Sequence, residues 1–538
     1  MSDSFDVVVL GTGAAGLVAA VSAAEHGASV GLFERSDLIG GTSAMSGGVL
    51  WVPNNHHMSE VGATDSREDA LAYLESLSLG YLDPVVAGAF IDEGPDAVAW
   101  VEANTPCRFF VVDGYPDYHP EHPGGRPGGG RSLDNRVFSY DELGEWAGRV
   151  RNQRGPTPTT LSETGLGGAT EPLARSVVAA RLENHENGLG LALVGGLLKA
   201  CLDRAVTPEL EHRAVGLVIE DGRVTGVRFE TPTGSRTVTA RRGVVLATGG
   251  FEWADDLTRA YLRGPMTGPA STPTNTGDGL RMAMVAGAEL GNMTGAWWAP
   301  VSRVPGETAW DAPRVRLVLQ ERTRPRSLMV NGAGRRFCNE AGNYNAMGGV
   351  FHAFDPATFS YPNQPAWLVF DHTYLRTYDL LAMAPTDGAP AWMPTGATLA
   401  ELADRIGVPA AELEATVARF NEHVAAGQDP DFGRGRSSFD HFNGDRRLPP
   451  PFTTLGPLTD APFHAIKVEC GTLGTNGGPR VDAKARVVAS AGGVIDGLFA
   501  AGNVMAAPTG MAYGGAGGTL GPAITFGYIA GREAAGSD

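Results

Sequence analysis

The N-terminal stretch "FDVVVLGTGAAGLVAAVSAAEHGASVGLFER" constrains the fold more than any other part of the chain. The apolar run Val7–Leu10 predicts a buried parallel strand. A G-x-G-x-x-G pattern and an alanine-rich helix follow, the glycines being Gly11, Gly13 and Gly16. A second strand, "SVGLFE", ends at Glu34, about 20 residues after the glycines, where it can accept a hydrogen bond from a ribose hydroxyl. Because the glycines let a pyrophosphate approach the helix N-terminus closely, the stretch predicts a βαβ dinucleotide-binding unit.

Within this stretch, residues 7–24 ("VVVLGTGAAGLVAAVSAA") are apolar enough to be mistaken for a membrane span or a signal peptide. The residues just before it include Asp3 and Asp6, whereas a signal peptide begins with basic residues. The three glycines also interrupt the apolar run. We therefore expect no membrane span here, and no other segment is a better candidate.

Composition narrows the classes of function. A formal net charge of −18 argues against binding nucleic acid or docking on an anionic membrane. The 74 glycines are about twice the usual share and indicate many tight turns and close approaches between backbone and ligand. The four cysteines form no Cys-x-x-Cys pair, so we expect no disulfide framework, no metal site and a cytoplasmic location. They are Cys107, Cys201, Cys338 and Cys470.

Three later junctions between a strand and a glycine turn favour FAD over a nicotinamide nucleotide. They are "GGTSAMSGGVLWVPNN" (40–55), "GVVLATGGFE" (243–252) and "GLFAAGNV" (497–504). A nicotinamide nucleotide needs fewer such contacts, whereas a long flavin nucleotide threads along a whole domain. FAD is therefore the predicted cofactor.

Between these junctions the sequence predicts a core helix over 191–206 and then short alternating strands with a hairpin turn at Asp221-Gly222. A loop and a helix follow at 275–290. The glycine- and proline-rich segment 119–131 is expected to be a surface loop near the mouth of the site.

A length of 538 residues predicts two domains. Aromatic residues, prolines and arginines increase from about residue 300, and the glycine-punctuated strands return near residue 466. The predicted fold class is α/β, a Rossmann-like FAD-binding domain with a β-meander over 1–300 and 466–538. An α+β catalytic domain is inserted over 301–465.

Four stretches spread over nearly the whole chain resemble the fumarate reductase-like flavoproteins and, within them, the Δ1-type 3-ketosteroid dehydrogenases. They are "GTGAAGLVAA…FERSDLIGGTSAMSGG", "ATGGFE", "SLMVNGAGRRFCNEAGNY" and "GLFAAGNV…YGGAGGTLGPAITFGY". The resemblance implies bound FAD, an inserted catalytic domain and a hydrophobic cleft between the domains.

The C-terminal glycine segment separates the branches of this superfamily. In fumarate reductases it carries a histidine and an arginine that hold dicarboxylates. Here "AYGGAGGTLGPA" has neither, and its one functional side chain is the neutral phenol of Tyr513, which suits a ketone. Arg335 and Arg336 could hold a carboxylate, but the motif "GRRFCNE" is shared across the superfamily, and we interpret it as structural.

The resemblance to ketosteroid dehydrogenases implies four catalytic positions. The Tyr513 hydroxyl and the Gly517 N–H would bind the C3 carbonyl oxygen and stabilise the charge that develops there. Tyr344 would remove the C2 proton, assisted by a hydrogen bond from Tyr118, and a hydride would pass from C1 to flavin N5. Tyr115 is an alternative to Tyr118, because a small alignment error exchanges the two.

The residues expected to bind FAD lie at the four glycine junctions, in the helix after residue 277 and at the start of the C-terminal helix, whose dipole would face the flavin pyrimidine ring. They are Gly11, Gly13, Ala14, Ala15, Gly16, Glu34, Arg35, Gly41, Thr42, Ser43, Ser46, Gly47, Gly48, Ala247, Thr248, Gly249, Gly250, Asp278, Gly502, Asn503, Gly518 and Leu520.

The predicted function is 1,2-desaturation of a small-molecule 3-ketosteroid, with electrons passed to an external acceptor that the sequence does not identify. One alternative is the Δ4-(5α)-dehydrogenase activity, whose enzymes tend to carry a serine at the position of Gly515. Another is a desaturase or reductase of a different ketone in the same superfamily. A flavin-binding protein without catalysis is a third hypothesis, which a substrate-reducible flavin would eliminate.

Overall fold

The computed structural model describes residues 3–152, 155–310 and 312–536. Its α-helices are α1 Ala14–Glu25, α2 Gly41–Met45, α3 Arg67–Ser78, α4 Pro84–Asn104, α5 Arg175–Glu183, α6 Leu189–Asp203, α7 Asp255–Tyr261, α8 Asp278–Val285, α9 Met347–Phe351, α10 His372–Thr377, α11 Leu399–Ile406, α12 Ala410–Ala425, α13 Ser438–Asn443 and α14 Leu520–Ala534. Short 3-10 helices lie at His56–Val61, Tyr140–Arg149, Leu161–Glu163, Gly165–Gly167 and Gly502–Val504.

The β-strands are β1 Ser4–Leu10, β2 Val30–Phe33, β3 Leu50–Trp51, β4 Phe109–Val111, β5 Ser132–Asn135, β6 Phe138–Ser139, β7 Glu186–Asn187, β8 Arg213–Glu220, β9 Arg223–Thr231, β10 Gly234–Leu246, β11 Leu290–Gly291, β12 Ala296–Ser302, β13 Thr308–Ala309, β14 Ala312–Pro313, β15 Arg316–Leu317, β16 Ser327–Val330, β17 Ala366–Phe370, β18 Thr395–Gly396, β19 Phe463–Thr475, β20 Gly478–Pro479, β21 Arg486–Val488 and β22 Val494–Ala500.

The first sheet is the predicted nucleotide-binding sheet. Its central strands β2, β1, β10 and β22 are parallel, with β21 antiparallel at the end. The βαβ unit is confirmed as β1, α1 and β2, and Glu34 is the first residue after β2. Helix α1 is buried along nearly its whole length and packs against the C-terminal helix α14. Helices α1 and α14 therefore pack together against the central strands of this sheet.

The predicted β-meander is confirmed and grows directly out of the nucleotide-binding sheet. Strand β10 pairs antiparallel with β9 through its first half and parallel with β1 through its second half. The hairpin between β8 and β9 turns at Asp221 and Gly222, both with positive φ (48° and 82°), which is typical of a tight two-residue turn. The core helix predicted over 191–206 is α6, and the helix predicted within 275–290 is α8.

A second sheet carries the order β15-β12-β19-β17-β16, with β18 beside β19, and its pairs are antiparallel. Helices α11 and α12 cover it through a core that includes Leu402, Val417 and Phe420. The sheet begins at Ala296 in β12 and its last strand β19 runs to Thr475, so it extends slightly beyond the range 301–465 predicted from composition.

The segment 119–131 is only partly the surface loop that its composition predicts. Its middle is exposed, but its last residue, Arg131, is completely buried. The correction has a physical cause: two buried carboxylates, Asp65 and Asp117, hold the guanidinium. Among the described residues, no helix has the length and apolar character needed to cross a membrane.

Candidate active site

A cavity of about 580 Å³ runs past the ends of the parallel strands and brings together residues from the start, the middle and the end of the chain. The glycine loop before α1 lines one part of it. Four tyrosines (Tyr115, Tyr118, Tyr344 and Tyr513) and the start of α14 line another part. The predicted nucleotide-binding and catalytic residues are thus continuous along one cavity.

The glycine loop has the shape that a dinucleotide requires. Gly11 has a φ of +107°, and a Cβ there would lie 2.3 Å from the Ala247 carbonyl oxygen, so no other residue fits. The Ser43 hydroxyl accepts a hydrogen bond from the Ala14 N–H at the start of α1. Glu34 is buried and accepts bonds from the N–H and the hydroxyl of Thr12, which fixes the loop against the end of β2. These residues fit the pyrophosphate and ribose of FAD.

Nineteen of the 22 residues predicted to bind FAD line this cavity. The other three, Gly16, Gly250 and Gly518, lie behind its wall, where their missing side chains allow close packing. A Cβ at position 16 would meet the Gly11 carbonyl oxygen at 2.0 Å, and one at position 518 would meet the Tyr513 ring at 2.9 Å. These three glycines therefore shape the site without facing it.

An ion-pair group closes the end of the cavity beside Glu34. Arg35 donates to Asp278 at 2.9 Å, and Arg213 reaches the same carboxylate with two further hydrogen bonds. Asp278 is the first residue of α8. The predicted contact residue Asp278 therefore lies on the cavity wall, but it is held by two arginines as well.

Tyr118, Tyr344 and Tyr513 form one cluster at the opposite part of the cavity. The Tyr118 hydroxyl donates to the Tyr344 hydroxyl at 3.1 Å. The Tyr118 and Tyr513 rings stack with centroids 5.4 Å apart, and the Tyr344 ring meets Tyr513 edge-on at 5.5 Å. Trp297 packs on the other side of Tyr513, at 5.1 Å. The three phenols predicted from sequence thus converge, although they are separated by hundreds of residues.

Tyr115, the alternative to Tyr118, lies further from this cluster. Its ring centroid is 6.5 Å from that of Tyr118, and it packs on Phe442 at 4.4 Å. No hydroxyl of the described chain other than that of Tyr118 donates to Tyr344. The geometry therefore favours Tyr118 as the partner of Tyr344.

Gly517 lies in the turn that leads into α14, with a φ of +97°. A Cβ there would be 2.5 Å from the Leu50 carbonyl carbon and from the Trp51 nitrogen. The Gly517 carbonyl oxygen accepts a hydrogen bond from the Trp51 N–H at 3.1 Å, which fixes the orientation of the turn. A side chain at this position would displace the turn, so the glycine is needed for close backbone packing beside the tyrosines.

Burial disfavours ionisation of all three phenols. Desolvation raises the pKa of Tyr118 and Tyr344 well above the usual value and also raises the pKa of Tyr513. The hydrogen bond from Tyr118 acts in the opposite direction on Tyr344 and lowers its pKa. The net pKa of Tyr344 nevertheless stays well above the usual value, and hydrogen bonds with Tyr344 and Thr519 lower the pKa of Tyr513 in the same way.

The two arginines of "GRRFCNE" lie away from the cavity. Arg336 is buried and makes bidentate contacts with Glu340 and Asp429, while the exposed Arg335 pairs with Glu412. Both guanidiniums have carboxylate partners within the protein. These contacts agree with the structural interpretation of the motif.

Sequence reasoning missed a set of cavity-lining residues that come from short strands, short helices and loops. One group surrounds the tyrosines and the space beside them, and apart from Val49, which lies in the stretch 40–55, no motif marks it. It contains Val49, Leu161, Leu166, Leu317, Leu319, Gln320, Arg322, Thr323, Phe439, Asn443 and Leu473. A second group extends the nucleotide side and contains Thr12, Phe33, His212, Ala214, Thr274, Asn275 and Thr519. In the second group, Thr12, Phe33, Asn275 and Thr519 lie in stretches that the sequence analysis had identified.

Comparison of the sequence with known protein families shows the class of protein to which this site belongs. The family described as "FAD binding domain" matches residues 6–520. The chain therefore belongs to the FAD-binding domain family of flavoproteins, and the predicted cofactor FAD is confirmed.

Similar proteins narrow the class further. A 4-oxocyclohexanecarboxylate 2-dehydrogenase of Sinomonas cyclohexanicum is 41% identical, with 99% of this chain and 93% of that protein covered. A 3-oxosteroid 1-dehydrogenase of Mycobacterium tuberculosis (strain ATCC 25618 / H37Rv) is 38% identical, covering 98% and 97%. The crystal structure of a 3-ketosteroid Δ1-dehydrogenase from Sterolibacterium denitrificans, in complex with 1,4-androstadiene-3,17-dione, superposes with a TM-score of 0.93 at 35% identity, covering 100% of both chains. The resemblance to ketosteroid dehydrogenases and the α/β flavoprotein fold are thus confirmed.

Proposed function

We propose that this protein is an FAD-dependent oxidoreductase that introduces a 1,2 double bond into 3-ketosteroids. The observation that carries the proposal is the cluster of Tyr118, Tyr344 and Tyr513 beside Gly517, in the same cavity as the glycine loop. The similarity to the steroid dehydrogenases of M. tuberculosis and S. denitrificans over the full chain supports the choice of substrate.

The ketone oxygen of the substrate is bound by the Tyr513 hydroxyl and the Gly517 N–H. As the proton on C2 leaves, negative charge develops on this oxygen, and two donors fixed in a buried site stabilise it without reorganising. Tyr513 suits this task because burial raises its pKa and keeps it protonated as a donor.

Tyr344 removes the C2 proton. A phenol is a weak base while neutral, and Tyr118 assists by donating a hydrogen bond that stabilises the phenolate. Tyr118 also packs edge-on against Tyr344, with centroids 5.3 Å apart, which limits the directions in which the base can move. Bound FAD supplies the acceptor for the hydride from C1.

The glycine at position 515 supports 1,2- over 4,5-desaturation. Enzymes with the Δ4-(5α) activity tend to carry a serine there, and in this chain a Cβ at position 515 would lie 2.4 Å from the Trp51 ring. Trp51 is completely buried and its indole N–H is bonded to Asp117, so it has no room to yield. The turn beside Tyr513 is built for glycine alone.

The test is anaerobic titration of the purified yellow protein with 4-androstene-3,17-dione while the visible flavin band is recorded. Bleaching together with formation of the 1,4-diene is the expected result. A saturated 5α-3-ketone serves as the second substrate, and a 4-ene product from it would replace the proposal with the Δ4-(5α) activity. A flavin that no ketone bleaches would refute a desaturase function altogether.

A second candidate is desaturation of 4-oxocyclohexanecarboxylate, the compound named in the relative that is 41% identical. The observation that favours it is Arg322, which lines the cavity and is only 2% exposed. Its guanidinium donates to the carbonyl oxygens of Val318, Glu340 and Gly342, and among the described residues no carboxylate forms an ion pair with it.

Burial without such a partner lowers the pKa of Arg322 to about 10. A substrate carboxylate in the cavity would supply the missing counter-charge, whereas a neutral steroid would not. Parallel titrations with 4-oxocyclohexanecarboxylate and with the steroid distinguish the two substrates. A kcat/KM for the keto acid at least tenfold above that for the steroid would establish the second candidate.

The proposal includes a cytoplasmic location, an external electron acceptor and the division of the chain into 1–300 with 466–538 and an inserted catalytic part, 301–465. The four cysteines support the location, because all are buried free thiols of the kind that a reducing compartment preserves. Cell fractionation with an antibody against the protein tests the location, and recovery in an extracellular or envelope fraction would contradict it.

A further inference from the structure

The loop that carries Tyr513 and the loop that carries Tyr118 are joined outside the cavity by a single carbonyl group. The Gly514 carbonyl oxygen accepts two hydrogen bonds, one from the Tyr118 N–H at 2.9 Å and one from the Tyr73 hydroxyl at 2.7 Å. Gly514 directly follows Tyr513 in the chain. Any movement of this peptide group therefore changes the position of one phenol relative to the other.

Tyr73 is the residue that holds this junction of the two loops at the Gly514 carbonyl group from outside the cavity. It lies on α3, is completely buried and does not line the cavity. Its hydroxyl donates to Gly514 and at the same time accepts from the His119 N–H at 3.1 Å. Because Gly514 follows Tyr513 and His119 follows Tyr118, one hydroxyl group bridges the Gly514–Gly515 peptide and the Tyr118–His119 peptide.

A buried charge cluster fixes Tyr73 and the junction from the other side. Arg131 is completely buried and donates to Asp65 and to Asp117, the residue before Tyr118, with distances of 2.7 Å. Its guanidinium lies 5.4 Å from the centre of the Tyr73 ring and 5.7 Å from that of Trp51. Breaking a buried ion pair by removing one partner is strongly destabilising, so this support is rigid.

Trp51 connects this buried charge cluster to the glycine turn. Its indole N–H donates to Asp117 at 2.8 Å, and its backbone N–H donates to the Gly517 carbonyl oxygen. Its ring also covers Gly514 and Gly515, where a Cβ would come within 2.6 Å of it. The cluster thus contacts both loops: it touches Gly517 directly and Gly514, the residue that follows Tyr513.

We propose that Tyr73 is a positioning residue for the desaturation, setting the distance between Tyr118 and Tyr513 through the Gly514 carbonyl group. This inference rests on the proposed function, since it assigns Tyr73 an effect on the ketone-binding and proton-removing phenols. Tyr73 does not touch the reacting atoms. Without its hydroxyl, the Gly514 carbonyl group keeps the Tyr118 N–H as its one donor among the described residues and is held less firmly.

Tyr73→Phe is the direct test, because it removes one oxygen atom and leaves the packing of the ring on Arg131 and Trp51. Tyr140→Phe is the control: Tyr140 is a buried tyrosine that does not line the cavity and whose hydroxyl donates to one backbone carbonyl, that of Leu191. Tyr73→Phe loses two buried hydrogen bonds to the backbone and Tyr140→Phe loses one, so we expect Tm to decrease in both variants and by more in Tyr73→Phe.

The two variants should differ in kinetics. We expect Tyr73→Phe to lower kcat about 10- to 100-fold with little change in KM, since misplacement of reacting groups by about 1 Å costs up to about 10²-fold. The pH at which kcat rises on the alkaline side should also change in Tyr73→Phe, because the hydrogen bond from Tyr118 to Tyr344 depends on the same loop. Tyr140→Phe should keep the wild-type kcat and pH profile. A Tyr73→Phe enzyme with kcat within threefold of the control would overturn the inference.

A crystal structure of Tyr73→Phe separates this inference from the proposed function. The expected result is a changed separation of the Tyr118 and Tyr513 rings, from 5.4 Å between centroids in the wild type. An unchanged separation overturns the inference whatever the substrate is. If the wild type desaturates no steroid but the rings still move, the proposed function fails and the positioning role stands.

Discussion

The substitution Gly517→Ala tests the oxyanion hole most sharply, because its effect follows from the geometry of one backbone turn. The added Cβ would lie 2.5 Å from atoms of Leu50 and Trp51, and these contacts are in backbone, which cannot rotate away as a side chain does. Ordinary contact begins near 3.4 Å, so the turn must retreat by about 0.9 Å.

A retreat of this size is enough to remove one donor. A hydrogen bond of about 2.9 Å to the substrate oxygen would lengthen beyond the range in which it stabilises charge effectively. Loss of one oxyanion-hole donor lowers kcat by about 10²–10³-fold, or about 2.7–4 kcal/mol. We therefore expect Gly517→Ala to bind FAD and to show a kcat reduced by about that factor.

The assay is steady-state turnover with an artificial electron acceptor, together with the anaerobic bleaching rate and the bound flavin content. Gly80→Ala is the matched control, because Gly80 has a similar positive φ (+87°) but no atom within 4 Å of the added Cβ. It carries the left-handed strain of about 1–2 kcal/mol without the collision. A Gly517→Ala enzyme with full flavin content and kcat within threefold of wild type would refute the reasoning.

Three further outcomes follow from the same contacts. Tyr344→Phe should retain FAD and lose about 10²–10⁴-fold in the bleaching rate, since it removes the proposed base; an unchanged rate would exclude Tyr344. Burial holds the pKa of Tyr344 above its usual value, so kcat should rise with pH up to at least about 10. Tyr118→Phe should shift this rise in kcat to higher pH. A kcat that does not change from neutral pH upward would contradict the roles of both Tyr344 and Tyr118. Glu340→Gln should lower stability by about 3–5 kcal/mol in thermal unfolding, because the buried guanidiniums of Arg336 and Arg434 lose their shared partner; an unaltered Tm would show that this pairing contributes nothing.

The nucleotide half of the molecule could be predicted from sequence because local patterns determine it. Strand β1, the glycine turn and α1 are consecutive, and the steric demand at Gly16 is local, because a Cβ there would meet the Gly11 carbonyl oxygen at 2.0 Å. The Asp221-Gly222 hairpin is equally local. Where backbone conformation and nearest neighbours set the structure, composition and spacing are sufficient.

The contacts of Arg131, in contrast, could not be predicted from local sequence patterns. In sequence Arg131 closes a run of glycines and prolines that resembles solvent-exposed loop, yet it is fully buried between Asp65 and Asp117. Its neighbours are 14 and 66 positions away, in two different loops. No periodicity marks such a pairing, and only the folded chain reveals that the segment supports the site.

The tyrosine cluster lies between these two cases. Tyr513 stands out from sequence because the glycines around it have no other explanation, but the choice between Tyr115 and Tyr118 does not follow from spacing. It follows from the Gly514 carbonyl group, which bonds the Tyr118 N–H and so turns the Tyr118 hydroxyl toward Tyr344. The glycines around Tyr513 therefore serve two purposes at once: they leave room for a ketone on one side, and on the other they let Trp51, Tyr73 and the Tyr118 loop approach the backbone that holds it.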